Sequence, residues 1–487
     1  MENSEIEMIQ ANHDITYKVE EPITGDADQE LCVNVVMFIK NILEQVPQVN
    51  PKICIYRISK EVRELNDRAY APQFISIGPF HYHTRQDLIA NEYYKYQGFN
   101  NFLRRISINN EQIESMEGSQ VKINTVKFLV EKCHGLMKEA WNCYADQINM
   151  MEEEFVGMML VDACFIVEFL ILLRGRVSNI QRIISKIDSK FYQGALYEIL
   201  GDLIKLENQV PFFLLQSLFD LITKDDLPLV GTHERASLMD LTCFAFKIFV
   251  VAGYHLNYMY DKTTPKHLVD FSSIFFMSAP TYVEDNHKYV HTKDRWCISP
   301  SVTTLWEAGV TIKPSYVESC LTSISFENGV LNIPHINMGK TFEIMIRNLI
   351  AFDHYPAGNK NMYAVEYVSF LHDLMKEEQD VHLLVKVGVI VNSVGGGDKY
   401  ILDFFNNLSR YNMVSPFSQF GEIAETLHVY CNRRRNRAKR YWNKAKVTLR
   451  HDYFTTPWTT ISVIAATFLI LLTLLQTIFS AISAFPG

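Results

Sequence analysis

The stretch Glu152–Gly175, EEEFVGMMLVDACFIVEFLILLRG, decides the fold. Its length and apolar content suit a helix that crosses a membrane or one that lies at the centre of a globular body. Two carboxylates, Asp162 and Glu168, stand in its interior, and polar residues interrupt it too often for a span. A carboxylate inside a core is costly unless it is paired or hydrogen-bonded, so a core placement also implies partners for both. The stretch therefore predicts a central core helix, and with it a mainly α body.

Helical spacing continues on both sides. CVNVVMFIKNILEQV (32–46) carries apolar residues at helical intervals. PKICIYRISKEVRELNDRAYAPQFISIGPFHY (51–82) reads as a short strand-like piece, a helix, and a loop punctuated by Pro and Gly. From about Gln86 to Leu200 helical patterns dominate, with DLIANEYYKYQGFNNFLRRI (87–106) the clearest amphipathic run. GDLIKLENQVPFFLLQSLFD (201–220) opens helical, carries Glu207, Asn208 and Gln209, then meets Pro211. Proline lacks the N–H a helix needs, so the helix breaks or kinks there and frees carbonyls for nearby polar side chains. SISFENGVLNIPHI (323–336) places Asn328-Gly329 between two alternating runs, a hairpin signal. TFEIMIRNLIAFDHY (341–355) and AVEYVSFLHDLMKEEQDVHLLVKVGVI (364–390) are again helical.

The closing segment, TTISVIAATFLILLTLLQTIFSAI, has no charge between Ile461 and Ile482. A helix of that length spans about 33 Å, against a hydrocarbon core of ~30 Å. Trp458 stands at its start, where an interfacial aromatic belongs. Upstream, Arg433, Arg434, Arg435, Arg437, Lys439, Arg440, Lys444, Lys446 and Arg450 put nine positive charges within 18 residues, with no acid among them. The positive-inside rule then leaves the N-terminal body on the cytosolic side, with the basic run on anionic headgroups at about 1 kcal/mol per residue. The expected organisation is a mobile polar extension (1–30), a helical globular body (31–430) with a small β-hairpin, a basic juxtamembrane segment (431–452) and a single transmembrane helix (457–485). The polar, acidic N-terminus does not read as a signal peptide, so the chain reads as tail-anchored in the plasma membrane or endoplasmic reticulum.

The net charge of −9 spreads acid along the body and concentrates base near the end, which argues against a nucleic-acid partner. Nine dispersed cysteines without a CxxC pair argue against a zinc ribbon or a thioredoxin-like motif, and read as ordinary buried thiols.

Several blocks together resemble one plant family, the domain of unknown function 247, or UPF0481-type proteins. They are AYAPQ (69–73) with SIGPFHYH (76–83), VDACFIVEFL (161–170), DLIKLENQVPFFLL (202–215), ISFENGVLNIP (324–334) with RNLIAFDHY (347–355), and YFTTPWTTISVIAA (453–466). Ala163, Asn91 and Asp353-His354 depart from the residues usual at those places in the family. The resemblance implies plant origin, one C-terminal span and no generally established activity. Members at the self-incompatibility loci of grasses are implicated as recognition determinants, which implies recognition or signalling here.

His81 and His83 form a pair at strand spacing but lack a third ligand nearby, so no metal is expected. No GxSxG, HExxH or P-loop occurs, and no cofactor is expected. The polar groups in apolar surroundings are Asp162, Glu168, Asp202, Glu207, Asn208 and Gln209. One reading has them bracing the Pro211 break and capping helices. The alternative is an enzyme of unfamiliar type, with Asp162, Glu168 and Glu207 doing acid/base work on a small or apolar substrate and Asn208, Gln209, His81 and His83 binding it. The first reading, a cytosol-facing recognition domain without catalysis, is the one the missing motifs favour.

Overall fold

A computed structural model of the chain describes residues 26–45, 50–108, 119–174, 190–222, 236–246, 264–277, 298–315, 320–356, 358, 362–409, 420–433 and 457–484. They belong to two compact units, Met1–Asn50 and Pro51–Gly487. In the first unit α1 (Asp26–Gln45) is a helix of 20 residues whose apolar side chains, Leu31, Phe38 and Leu43 among them, are exposed. It starts inside the segment expected as a polar extension, the rest of which, 1–25, lies outside the described residues.

The second unit begins with Ile55 bridging Tyr144 in parallel. Ser59 caps α2 (Lys60–Leu65) by accepting the Val62 N–H, and α3 (Asp67–Tyr70) follows at once. An irregular loop leads to α4 (Gln86–Ile89) and α5 (Glu92–Ile108), then α6 (Ser119–Trp141) and α7 (Glu152–Arg174). α8 (Lys190–Leu203), α9 (Phe212–Asp220), α10 (Leu238–Phe246), α11 (Leu268–Met277) and α12 (Val302–Glu307) complete the first two thirds.

α7 is the core helix the opening stretch calls for. It is long and apolar enough to cross a membrane, yet 78% of its most apolar window is buried within the protein. α5, α6, α9 and α10 pack around it. α5 approaches closest at Gly98, where a Cβ would stand 2.8 Å from Phe165 Cδ2 and 3.3 Å from its Cα.

Five short strands follow. β1 (Thr311–Ser315) runs parallel to β3 (Val330–Pro334), and β2 (Ser325–Glu327) antiparallel to it. Asn328 and Gly329 both take positive φ, 52° and 79°, which matches the right-handed twist of the hairpin they join. β4 (Ile336–Met338) pairs in parallel with the distant β5 (Ile390–Asn392). The hairpin was legible; the parallel partners, short and without alternation, were not.

α13 (Lys340–Asp353), α14 (Tyr363–Leu374), α15 (Glu378–Lys386), α16 (Gly397–Ser409) and α17 (Gly421–Asn432) form a second helical layer with α11 and α12. Two runs expected as single helices are broken. Residues 87–106 divide into α4 and α5 because Asn91 turns its amide to the Phe74 carbonyl at 2.8 Å. Residues 364–390 divide because buried Asp380 accepts the N–H groups of Lys376 and Glu377, both at 3.0 Å, and that of Thr303 at 2.7 Å. α18 (Pro457–Ala484) is a helix of 28 residues. Its described apolar stretch, Ala465–Ser480, is exposed. Of the basic run only Arg433 is described, closing α17 with its guanidinium 6.0 Å from the Tyr430 ring; the other eight residues lie outside the described residues.

Replacing Gly98 by Val should destabilise the protein by about 1–3 kcal/mol, since the side chain overpacks a backbone contact. Gly135→Ala, at an exposed site in α6 with open space around it, should be neutral or stabilising. Urea unfolding of the two variants checks this.

Candidate site: a buried polar clasp

α8 ends at Leu203 and α9 starts after Pro211, whose φ of −56° suits a helix start. The intervening segment is irregular and buried throughout, as is most of the loop at 69–81. Irregular backbone in a core must find partners for every N–H and C=O, because water cannot supply them. Side chains of each segment do so for the other.

Asp202 accepts three successive backbone N–H groups, from Gln73 (2.9 Å), Phe74 (2.6 Å) and Ile75 (2.8 Å). Lys205 pairs with it at 2.9 Å and donates to the carbonyls of Ala71 (2.7 Å) and Arg68 (3.0 Å). Asn208 accepts from the Ile77 N–H at 2.7 Å and donates to the Ile75 carbonyl at 3.1 Å. Gln209 serves its own turn, donating to the carbonyls of Leu203 (2.8 Å) and Lys205 (2.7 Å). Glu207 accepts the Ile58 N–H at 2.6 Å, the Arg63 guanidinium on the same oxygen, and His81 Nε2 at 2.7 Å on the other. Asn348 of α13 closes the ring, accepting from the Leu206 N–H at 2.9 Å and donating to the Ala69 carbonyl at 2.8 Å.

α7 contributes Asp162. One oxygen accepts the Gly78 N–H at 2.8 Å and the other meets Lys95 at 2.8 Å. Lys95 also reaches Glu92 at 2.7 Å and the Ser76 carbonyl at 2.9 Å. Gly78 has φ +72°, and a Cβ there would lie 2.5 Å from the Gln209 carbonyl oxygen. That carbonyl is itself held by the Tyr144 hydroxyl at 2.9 Å. Only glycine lets the two segments meet at this distance.

The electrostatics follow from burial and partners. Burial alone would raise the Glu207 carboxyl, but His81, Arg63 and the Ile58 N–H outweigh it and hold the group below its ordinary range. Burial alone would lower Lys95, and Asp162 with Glu92 keep the ammonium above its usual value. Burial lowers Lys205 despite Asp202, and raises Tyr144 well above the usual phenol range, which keeps the hydroxyl a donor.

The clasp thus unites Asp162, Asp202, Glu207, Asn208, Gln209 and His81. Glu168 stands apart, held by both arms of Arg105 (3.1 and 2.9 Å), where it ties α5 to α7. His81 and His83 do not act as a pair. The segment turns instead of extending: His81 goes inward to Glu207, while His83, at φ 52°, is exposed and stacks on Tyr82 with centroids 3.9 Å apart. No group of three His, Cys, Asp or Glu among the described residues could hold a metal ion. A cleft of about 40 Å³ beside Asp202 and Lys205, lined also by Gln73, Tyr197 and Lys340, has room for only a few waters. Sequence reasoning passed over Arg63, Lys95, Lys205 and Asn348. A lysine three residues after Asp202 and an asparagine inside IMIRNLIAF were the available signals.

Comparison with known proteins gives these contacts a wider setting. The profile of DUF247, described as a plant protein of unknown function, matches residues 55–472. The chain belongs to the DUF247 family. It is similar to the UPF0481 protein At3g47200 of Arabidopsis thaliana, 24% identical over 88% of this chain and 86% of that one. It is also similar to the putative UPF0481 protein At3g02645 of the same plant, 20% identical over 93% and 95% of the two chains. No solved structure matches. Four blocks on which the DUF247 resemblance rests, at 76–83, 161–170, 202–215 and 347–355, converge on the clasp from distant parts of the chain.

The last of those blocks carries a second device. Asp353, at the end of α13, caps α14 by accepting the N–H groups of Ala364 (2.8 Å) and Val365 (3.2 Å) with one oxygen. Its other oxygen is buried without a hydrogen bond among the described residues. Burial pushes its carboxyl up to about 7, against the two N–H groups and helped by Glu366.

Two outcomes are expected. Asp202→Ala leaves three N–H groups and a buried ammonium unpaired and should cost about 3–5 kcal/mol in urea unfolding. Asp353→Asn should act oppositely. A folded-state value above the unfolded one makes the ionised carboxylate a penalty, absent below about pH 4 and complete above pH 7. The amide keeps the cap and removes that penalty. The variant should therefore gain up to about 1–3 kcal/mol over wild type at pH 8 and little at pH 4, by thermal unfolding across that range.

Proposed function

We propose that the protein is a single-pass, membrane-tethered recognition or signalling module of plant cells, its helical body facing the cytosol. The observation that carries the reading is the commitment of Asp162, Glu168 and Glu207. Each is held by a cation of the surrounding fold, Asp162 and Glu207 by a backbone N–H as well, and each is at most 3% exposed. Carboxylates so engaged position chain segments; they do not face a substrate. What remains for function is the outer surface and the tether, in line with a recognition role like that of family members at grass self-incompatibility loci.

The tether rests on α18. At 1.5 Å per residue its 28 residues extend about 42 Å, longer than a hydrocarbon core of ~30 Å. No acidic or basic residue occurs between Pro457 and Ala484, and large apolar side chains such as Phe468, Leu471 and Phe479 are exposed along it. Water around that surface would be costly, whereas lipid would not. The basic residues from Arg433 to Arg450 favour the cytosolic leaflet for the preceding chain.

A glycosylation acceptor appended after Gly487 should be modified in microsomes, while one placed before Met1 stays unmodified. The opposite pattern would put the body in the lumen and defeat the proposal. Deleting 457–487 should release the body from membranes into the soluble fraction.

A further inference from the structure

Two buried cysteines stand side by side where the chain enters the second unit. Cys54 and Ile55 both donate their N–H to the Cys143 carbonyl at 2.9 Å, and Ala145 returns its N–H to Ile55 at 3.0 Å. With Ile55 bridging Tyr144 in parallel, residues 54 and 143 are lateral neighbours on the same face of that bridge. Both side chains are buried, and both are free thiols. Lys52, Asn142 and Ala145 around them are exposed, so the pair lies one residue beneath the surface.

The two sulfurs are chemically unequal. The neighbouring Cys54 thiol lowers the Cys143 thiol, against burial and with help from the Lys52 charge. Cys54 is pushed up by Cys143 and by burial. In the resting protein the Cys143 thiol donates to the Glu139 carbonyl at the end of α6, at 3.3 Å. Burial raises the Cys133 thiol to about 11 and lifts Cys164 well above its ordinary value. Of the buried thiols Cys54, Cys133, Cys143 and Cys164, Cys143 is the one held below its ordinary value, which favours its thiolate. The backbone at Cys54 is fixed from the other side too. His267 Nε2 donates to its carbonyl at 2.9 Å, and burial holds that imidazole down at about 3, neutral and locked as a donor.

We propose that Cys54 and Cys143 are a redox-modification site that closes to a disulfide on reaction with a hydroperoxide. The Cys143 thiolate attacks the peroxide O–O bond; an S–O bond forms, the O–O bond breaks, and the departing oxygen takes a proton and leaves as water or an alcohol. Cys54 then attacks the sulfenic sulfur. The S–S bond forms, the S–O bond breaks, and hydroxide leaves as water with the proton from Cys54. Two thiols lose two electrons and two protons, and one peroxide is reduced. The product staples the start of the second unit to the turn after α6, beside the Tyr144–Gln209 contact of the clasp.

The test is a hydrogen peroxide titration of the reduced, purified full chain, read by peptide mapping without reductant. The Cys54–Cys143 linked peptide should appear at peroxide levels that leave Cys133 and Cys164 alkylatable, and the thermal midpoint should rise with it. Cys54→Ser should abolish both effects and leave Cys143 as a sulfenic acid that dimedone captures; Cys133→Ser should change neither. Wild-type protein in which Cys143 stays alkylatable, overoxidises to the sulfinic acid, or pairs with another cysteine would overturn the proposal, whether or not the variants fold.

Discussion

Asp202 accepts the N–H groups of Gln73, Phe74 and Ile75, and the rest of the body depends on that kind of exchange. The chain carries an irregular loop through its interior, where each unpaired backbone group would cost about 1–3 kcal/mol. Helix or sheet would satisfy those groups locally. Here the task falls to side chains from four other elements: the end of α8 with the turn after it, the core helix α7, α5 and α13. Each such side chain is itself a polar group that only its backbone partner makes tolerable inside the core. The two problems cancel, and the cancellation needs Gly78, since any other residue would force the Gln209 carbonyl away.

That interdependence gives the family blocks a physical meaning. SIGPFHYH supplies the N–H groups and His81; LENQ supplies their acceptors; VDACFI supplies Asp162; RNLIAFDHY supplies Asn348 and the Asp353 cap. None of these side chains is spare, which is why residues that resemble an active site in composition act as braces. Lys95 and Asp162, each at most 1% exposed, are charges kept in the core by each other. Such pairs add little net stability, but losing one member is costly, so they enforce one arrangement of the chain.

Much of this was legible in the residues and some was not. The apolar run at 152–174 named the core helix, Asn328-Gly329 named the hairpin, and the polar cluster at 202–209 drew attention to the clasp. Partner identities stayed hidden because most join positions far apart in the chain, from 84 residues for Gly78 and Asp162 to 279 for Ala69 and Asn348, which no local pattern encodes. The splits at Asn91 and Asp380 had the same cause: a side chain captured a distant or neighbouring backbone group and overrode helical periodicity. His81 and His83 misled through spacing, since a turn with positive φ at His83 sends the two rings apart.

The central claim is that side chains of the surrounding fold hold the irregular backbone at Ile58 and at 73–78. Native-state hydrogen exchange of the amides of Ile58, Gln73, Phe74, Ile75, Ile77 and Gly78 tests it most directly. Although none lies in a helix or strand, they should exchange only through global unfolding, as slowly as the amides of the core helix 152–174. Exchange on the timescale of an exposed loop, with that helix still protected, would contradict the account.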